Sequence, residues 1–161
     1  MATLVLTNAE VLLDGVASPP VYDFSDWVKS VTLNFSADML EDTSMGDTTH
    51  SKQPGLKDWS VDLEMFQDFA EYAALGNKSP DYWTFKWCDD KSSVNISVAP
   101  TTGGPSATIP CYRGLGVIES INPIAGSVGE MAMVKVRIVP TKKLHADTSG
   151  VYTTALVRAV A

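Results

Sequence analysis

The chain has 161 residues, of which 45% are hydrophobic and only 19% charged, and is read as one domain over 1–161 that buries about two-thirds of the surface exposed when unfolded. A net charge of −7 and a pI near 4.6 repel phosphates, which argues against tight electrostatic binding of DNA or RNA. No apolar run approaches the ~20 residues of a membrane span, and "MATLVLTNAEVLLDG" has neither a basic n-region nor a continuous h-region, so a cytoplasmic site of synthesis with no membrane partner is expected.

Along the chain the hydrophobic period is mostly two. Short strands are predicted at 3–6 and 10–13, and "DGVASPP" reads as a turn. In "WVKSVTLNF", Trp27, Val31, Leu33 and Phe35 share one face, with Lys29 intruding, while Ser30, Thr32 and Asn34 share the other. A polar connection, "EDTSMGDTTHSKQPGLKDW", follows. The next strand, "WSVDLEMF", sets Trp59, Val61, Leu63 and Met65 against Ser60, Asp62 and Glu64. "DFAEYAALGN" predicts a helix, with Asp68 as N-cap, Phe69, Tyr72 and Ala73 along one side, and Gly76 as its stop. Strands are then predicted at 82–88 and 94–98, a flexible loop at "PTTGGPSATIP", a strand at "CYRGLGVIES" and a turn at "INPIAGSVGE". The last strand, "MAMVKVRIV", alternates Ala132, Val134, Val136 and Ile138 with Met131, Met133, Lys135 and Arg137. The predicted architecture is mainly β: a sandwich or barrel with one short flanking helix and a long inter-strand loop.

Charge is divided unevenly. Residues 37–68 hold eight acids against Lys52 and Lys57, a net of −6, whereas residues 111–161 hold six bases against three acids, a net of +3. Copies could attract one another head to tail, although two ordinary solvated surfaces would give the same imbalance. Catalytic and metal motifs are lacking. His50 beside Glu41, Asp42 and Asp47 does not have metal-ligand spacing, and His145 has no nucleophile motif to serve. The glycines of "RGLGV" fall inside a strand, which suggests a bulge or close packing and not a phosphate loop. Cys88 and Cys111 are expected as free thiols in a reducing compartment. Neither an enzyme nor a cofactor is expected.

The connection at 41–57 is better explained by assembly. About twenty residues without secondary structure are uncommon inside a compact domain, and Met39, Leu40 and Met45 among polar residues suit ordering on a partner. The succession "LTNAEVLLDG", "DFSDWVKSVTLNFSADMLEDTSMGDTTHSKQPGLKDWSVDLEMFQDFA" and "GLGVIESINPIAGSVGEMAMVKVRIVP" resembles the major tail tube protein of long, non-contractile-tailed bacteriophages. It covers nearly the whole chain. Its most specific part runs from Asp26 to Phe69, with the turn Ser44-Met45-Gly46-Asp47 and the following G-L-K-D-W-S. The segment "AEYAALGNKSPDYWTFKWCDDKSS" and an extension over 141–161 depart from the pattern.

The resemblance implies a structural virion protein forming hexameric rings whose inner sheets join into one barrel. The rings stack on a tape measure protein into a tube that conducts DNA, bounded by tail terminator and tip proteins, located in the virion tail and assembled in the host cytoplasm. It makes the loop at 41–57 an inter-subunit arm, with Met39, Leu40, Asp42, Met45, Asp47, Thr48 and Lys52 as contact candidates and Lys142 and Lys143 of another copy as basic partners. Thr32, Asn34, Asp62 and Glu64 are candidates for a polar, preferably acidic lumen. The alternative is a monomeric sandwich that decorates a capsid or binds a small ligand or partner, which would need only a short hairpin.

Overall fold

A computed structural model describes residues 9–15, 18–46, 48–67, 79–102, 109–141 and 145–147. Its strands are β1 (Glu10–Gly15), β2 (Ser18–Asp23), β3 (Val28–Glu41), β4 (Lys52–Phe66), β5 (Ser93–Ala99), β6 (Cys111–Ala125), β7 (Met133–Pro140) and β8 (His145–Asp147), and the helix α1 spans Pro80–Asp89. They form one antiparallel sheet in the order β2-β1-β5-β6-β7-β4-β3, with β8 paired to β6.

That sheet cannot be flat. Seven strands side by side would put β2 and β3 about 29 Å apart, yet Asp23 and Val28, which end and begin those strands, are joined by chain that spans at most about 18 Å. Backbone bonds show how the gap closes. The Phe24 N–H donates to the carbonyl of Val11 in β1, the Trp27 N–H to the carbonyl of Phe24, and the Phe66 N–H at the end of β4 to the carbonyl of Trp27. Four residues, 24–27, thus cross from β1 to β4, and the sheet rolls toward a barrel. Phe24, fully buried, plugs this end.

The rolled interior is one apolar cluster: Val11 and Leu13 of β1, Val94, Ile96 and Val98 of β5, Ile118 of β6, Val134, Val136 and Ile138 of β7, and Trp59, Val61, Leu63 and Met65 of β4. The alternation read for 59–65 and 132–138 therefore places the correct faces inside. Trp27, Val31 and Leu33 pack on this cluster only partly buried, and Phe35 is 57% exposed, because β3 is the outer strand and its far half runs past the core.

Two expectations need correction. Residues 82–88 are helical: Pro80 fills the first turn, where its missing N–H costs nothing, and Pro80, Trp83, Thr84 and Trp87 form a buried stripe of period 3.6. Their aromatic, strand-like composition concealed that period. The segment read as the turn "DGVASPP" contains the start of β2. Within the extension read over 141–161, residues 145–147 form β8. The predicted strand at 3–6 and helix at 68–77 lie outside the described residues. Cys88 and Cys111 are both free thiols, with Cys111 buried against the Ser97 hydroxyl, Oγ to Sγ 2.9 Å.

Candidate assembly site

The hairpin of β3 and β4 is the longest element pair, and its register runs from Val28↔Met65 to Glu41↔Lys52. Strand pairing therefore takes in residue 41 and residues 52–57 of the stretch read as an unstructured loop over 41–57, and the connection proper is 42–51. Between Ala37↔Lys57 and Met39↔Pro54 the register shifts by one residue on β4. Such a bulge bends and twists the ribbon. Beyond it, β4 resumes with its side chains switched between faces, so Leu56 falls out of the alternation and stands 82% exposed.

β7 reaches β4 only from Val61 to Phe66. Residues 36–41 and 52–58 thus form a two-stranded arm that extends roughly 20 Å beyond β7. Its end is tied by local hydrogen bonds. The Asp42 N–H donates to the Ser51 carbonyl (2.9 Å), the Ser51 N–H to Thr43 Oγ1 (3.2 Å), and Gln53 Nε2 to Asp42 Oδ2 (2.6 Å). His50 Nδ1 meets Glu41 Oε1 at 2.8 Å with both side chains exposed. Among the described residues no three His, Cys, Asp or Glu side chains cluster as a metal site requires.

The assembly candidates fall on this arm. Met39 and Leu40 lie on its outer strand, Met45 at its tip and Lys52 at its return, all exposed, with Thr48 exposed in the connection. Asp47, Lys142 and Lys143 lie outside the described residues. Sequence reasoning missed Leu56, hidden by the bulge, and assigned Phe35 to the core because periodicity cannot tell where a strand outruns its sheet.

The polar face of the same strands carries a charge ladder. Thr32 lies opposite Asp62, and Asn34 Nδ2 donates to Asp62 Oδ2 (3.1 Å). Asp62 and Glu64 lie opposite Arg137 and Lys135, giving ion pairs of 3.6 Å and 2.6 Å, and Arg137 also meets Glu119 of β6 at 2.8 Å. The hydrogen bond and charge of Lys135 hold the Glu64 carboxyl below its ordinary pKa, with smaller help from Ser30 and Lys29. The structure thus brings all four lumen candidates together, but the face has mixed charge where an acidic one was preferred. Lys135 and Arg137 stand on the polar positions of "MAMVKVRIV" that face those of "WSVDLEMF", a pairing that only the strand order reveals, and Glu119 belongs to "CYRGLGVIES".

At the opposite end of the sheet, β6 turns into β7 through 126–132. Gly129 takes φ +93, a conformation other residues rarely adopt, and the Glu130 N–H donates to the Ser127 carbonyl (3.0 Å). This tight turn leaves Ile124, Val128 and Met131 exposed.

The fold recurs in solved structures. A subunit of the SPP1 tail tube superposes with a TM-score of 0.68 at 9% identity, covering 91% of this chain and 80% of that one. The chain has a tail tube fold. A subunit from the tail of an empty gene transfer agent particle, refined with helical and C6 symmetry, gives 0.63 at 16% identity over 86% of this chain and 94% of that one. A chain of the sheath–tube complex of an extracellular contractile injection system in its extended state gives 0.55 at 14% identity, covering 91% and 92%. No family model matches the chain, and no curated protein sequence matches it.

Proposed function

We propose that this chain is a structural, non-enzymatic subunit that polymerises as stacked hexameric rings into a phage tail tube. The observation that carries the reading is the arm of β3 and β4 on a tail tube fold. It builds no core of its own, exposes Met39, Leu40, Met45 and Leu56, and is far longer than the short hairpin a monomeric decoration or ligand-binding sandwich needs.

The edge of the sheet supports ring formation. Among the described residues β3 pairs only with β4, so one side of a 14-residue strand offers its N–H and C=O groups to another strand. Such an edge is a template for pairing with a second chain, and six copies joined there would form a continuous inner barrel. Thr32, Asn34, Asp62 and Glu64 would line that barrel with Lys135 and Arg137. Paired charges give a wetted wall with few unmatched cations to hold phosphate, which suits passage of DNA as transient cargo. The tape measure protein would occupy the lumen during assembly in the host cytoplasm, and terminator and tip proteins would cap the tube in the virion tail.

Negative-stain electron microscopy of the purified chain tests the proposal. Hollow tubes or sixfold rings are expected, and a preparation that stays monomeric at every concentration would overturn it.

A further inference from the structure

The tube reading leaves open which surface receives the arm, and the register of β4 and β7 supplies a candidate. β4 runs from the arm at Lys52 to Phe66, which pairs with Met133 at the start of β7, directly after the 126–132 turn. The exposed apolar side chains of the arm and those of the turn therefore occupy opposite ends of one strand path. From Lys52 to Val61, then from Ile138 back to Met131, that path measures roughly 50 Å. The two sets cannot meet within one molecule.

Resting on the tube reading, the geometry points to the β6–β7 turn as the seat for the arm of a second copy, with Met45 and its neighbours packing on Ile124, Val128 and Met131. Two features favour another copy over any other occupant. The patches face opposite ways along the strands, so pairing them is heterologous and propagates without closing, as a filament requires. Both present flexible or aliphatic side chains of similar number, and methionine adapts to such surfaces without a preformed pocket. The turn is held by Gly129 and the Ser127–Glu130 bond, so it is a preshaped seat and the arm is the part that adjusts.

Cysteine cross-linking of assembled protein tests this pairing. Met45→Cys and Val128→Cys are combined in the full chain, tubes are formed and treated with a mild oxidant, and products are separated without reductant. The expected result is a ladder of linked dimers, trimers and higher species, absent from either single variant and from unassembled protein. Cys88 and Cys111 are controlled for by those single variants. Tubes that form but give no ladder would overturn the seat while leaving the tube reading intact; a wild-type chain that never assembles would overturn both. Val128→Glu supplies a second readout: its monomer should melt as the wild type does while tube yield falls at least tenfold, and undiminished tube yield would also overturn the assignment.

Discussion

The indole of Trp59 fills the space that a side chain at Gly114 would need: a Cβ there would stand 2.5 Å from Cζ2 and 2.8 Å from Cη2. Trp59 belongs to β4 and Gly114 to β6, with β7 between them. The ring therefore lies across the intervening strand and ties the strand that forms the arm to the middle of the sheet. Gly116 meets a harder wall, the Val139 carbonyl at 2.5 Å. Gly114→Ala should destabilise by about 1–3 kcal/mol through overpacking, and Gly116→Ala by at least as much because backbone cannot swing aside. Denaturant melts check this; a Gly114→Ala protein with an unchanged midpoint would contradict the packing.

Leu63 and Phe35 project from paired strands on the same face but differ in burial, at 1% and 57% exposed. Leu63→Ala should cost roughly 2–5 kcal/mol, whereas Phe35→Ala should change monomer stability by no more than about 0.5 kcal/mol. Equal losses in thermal or urea unfolding would show that the core extends further along β3 than described.

Glu10 has a buried carboxylate oxygen with no hydrogen-bond partner, and burial followed by the charge of Asp23 raises its pKa above 4.5. Holding that carboxylate ionised in the folded state therefore costs stability above its raised folded pKa, and the cost disappears as pH falls below 4.5. Glu10→Gln should raise the melting temperature at pH 7 and leave it unchanged at about pH 3. A variant that melts lower than wild type at pH 7 would refute this.

Glu64 shows the opposite sign. Its pKa is lowered by Lys135, so its stabilisation is present above 4.5 and is lost as pH falls through the depressed folded value. Glu64→Gln should narrow the difference between melting temperatures at pH 7 and about pH 3, and added salt should shrink the effect because the pair is partly exposed. An acid profile identical to wild type would show that the ion pair does not form in solution.

Sequence periodicity located the core because 59–65 and 132–138 alternate without interruption. It could not show that 82–88 is a helix, since Trp83, Phe85 and Trp87 satisfy a period of two as well as Trp83 and Trp87 satisfy four. The arm was legible as polar but not as paired strands: the extra residue between Pro54 and Lys57 breaks alternation, and cross-strand pairing is non-local. The charge ladder was hidden for the same reason, because Glu64 and Lys135 become neighbours only through a strand order that no single segment encodes.

Removing the arm tests the central claim most directly. Ala37 and Lys57 lie opposite one another, so replacing residues 38–56 by Asn-Gly closes the hairpin with a two-residue turn and leaves the core pairs intact. Electron microscopy of this protein beside the wild type, with a thermal melt of each, gives the comparison. Long tubes from the wild type and a folded, unassembled product from the shortened chain are predicted; long tubes from both would contradict the assignment of the arm to assembly.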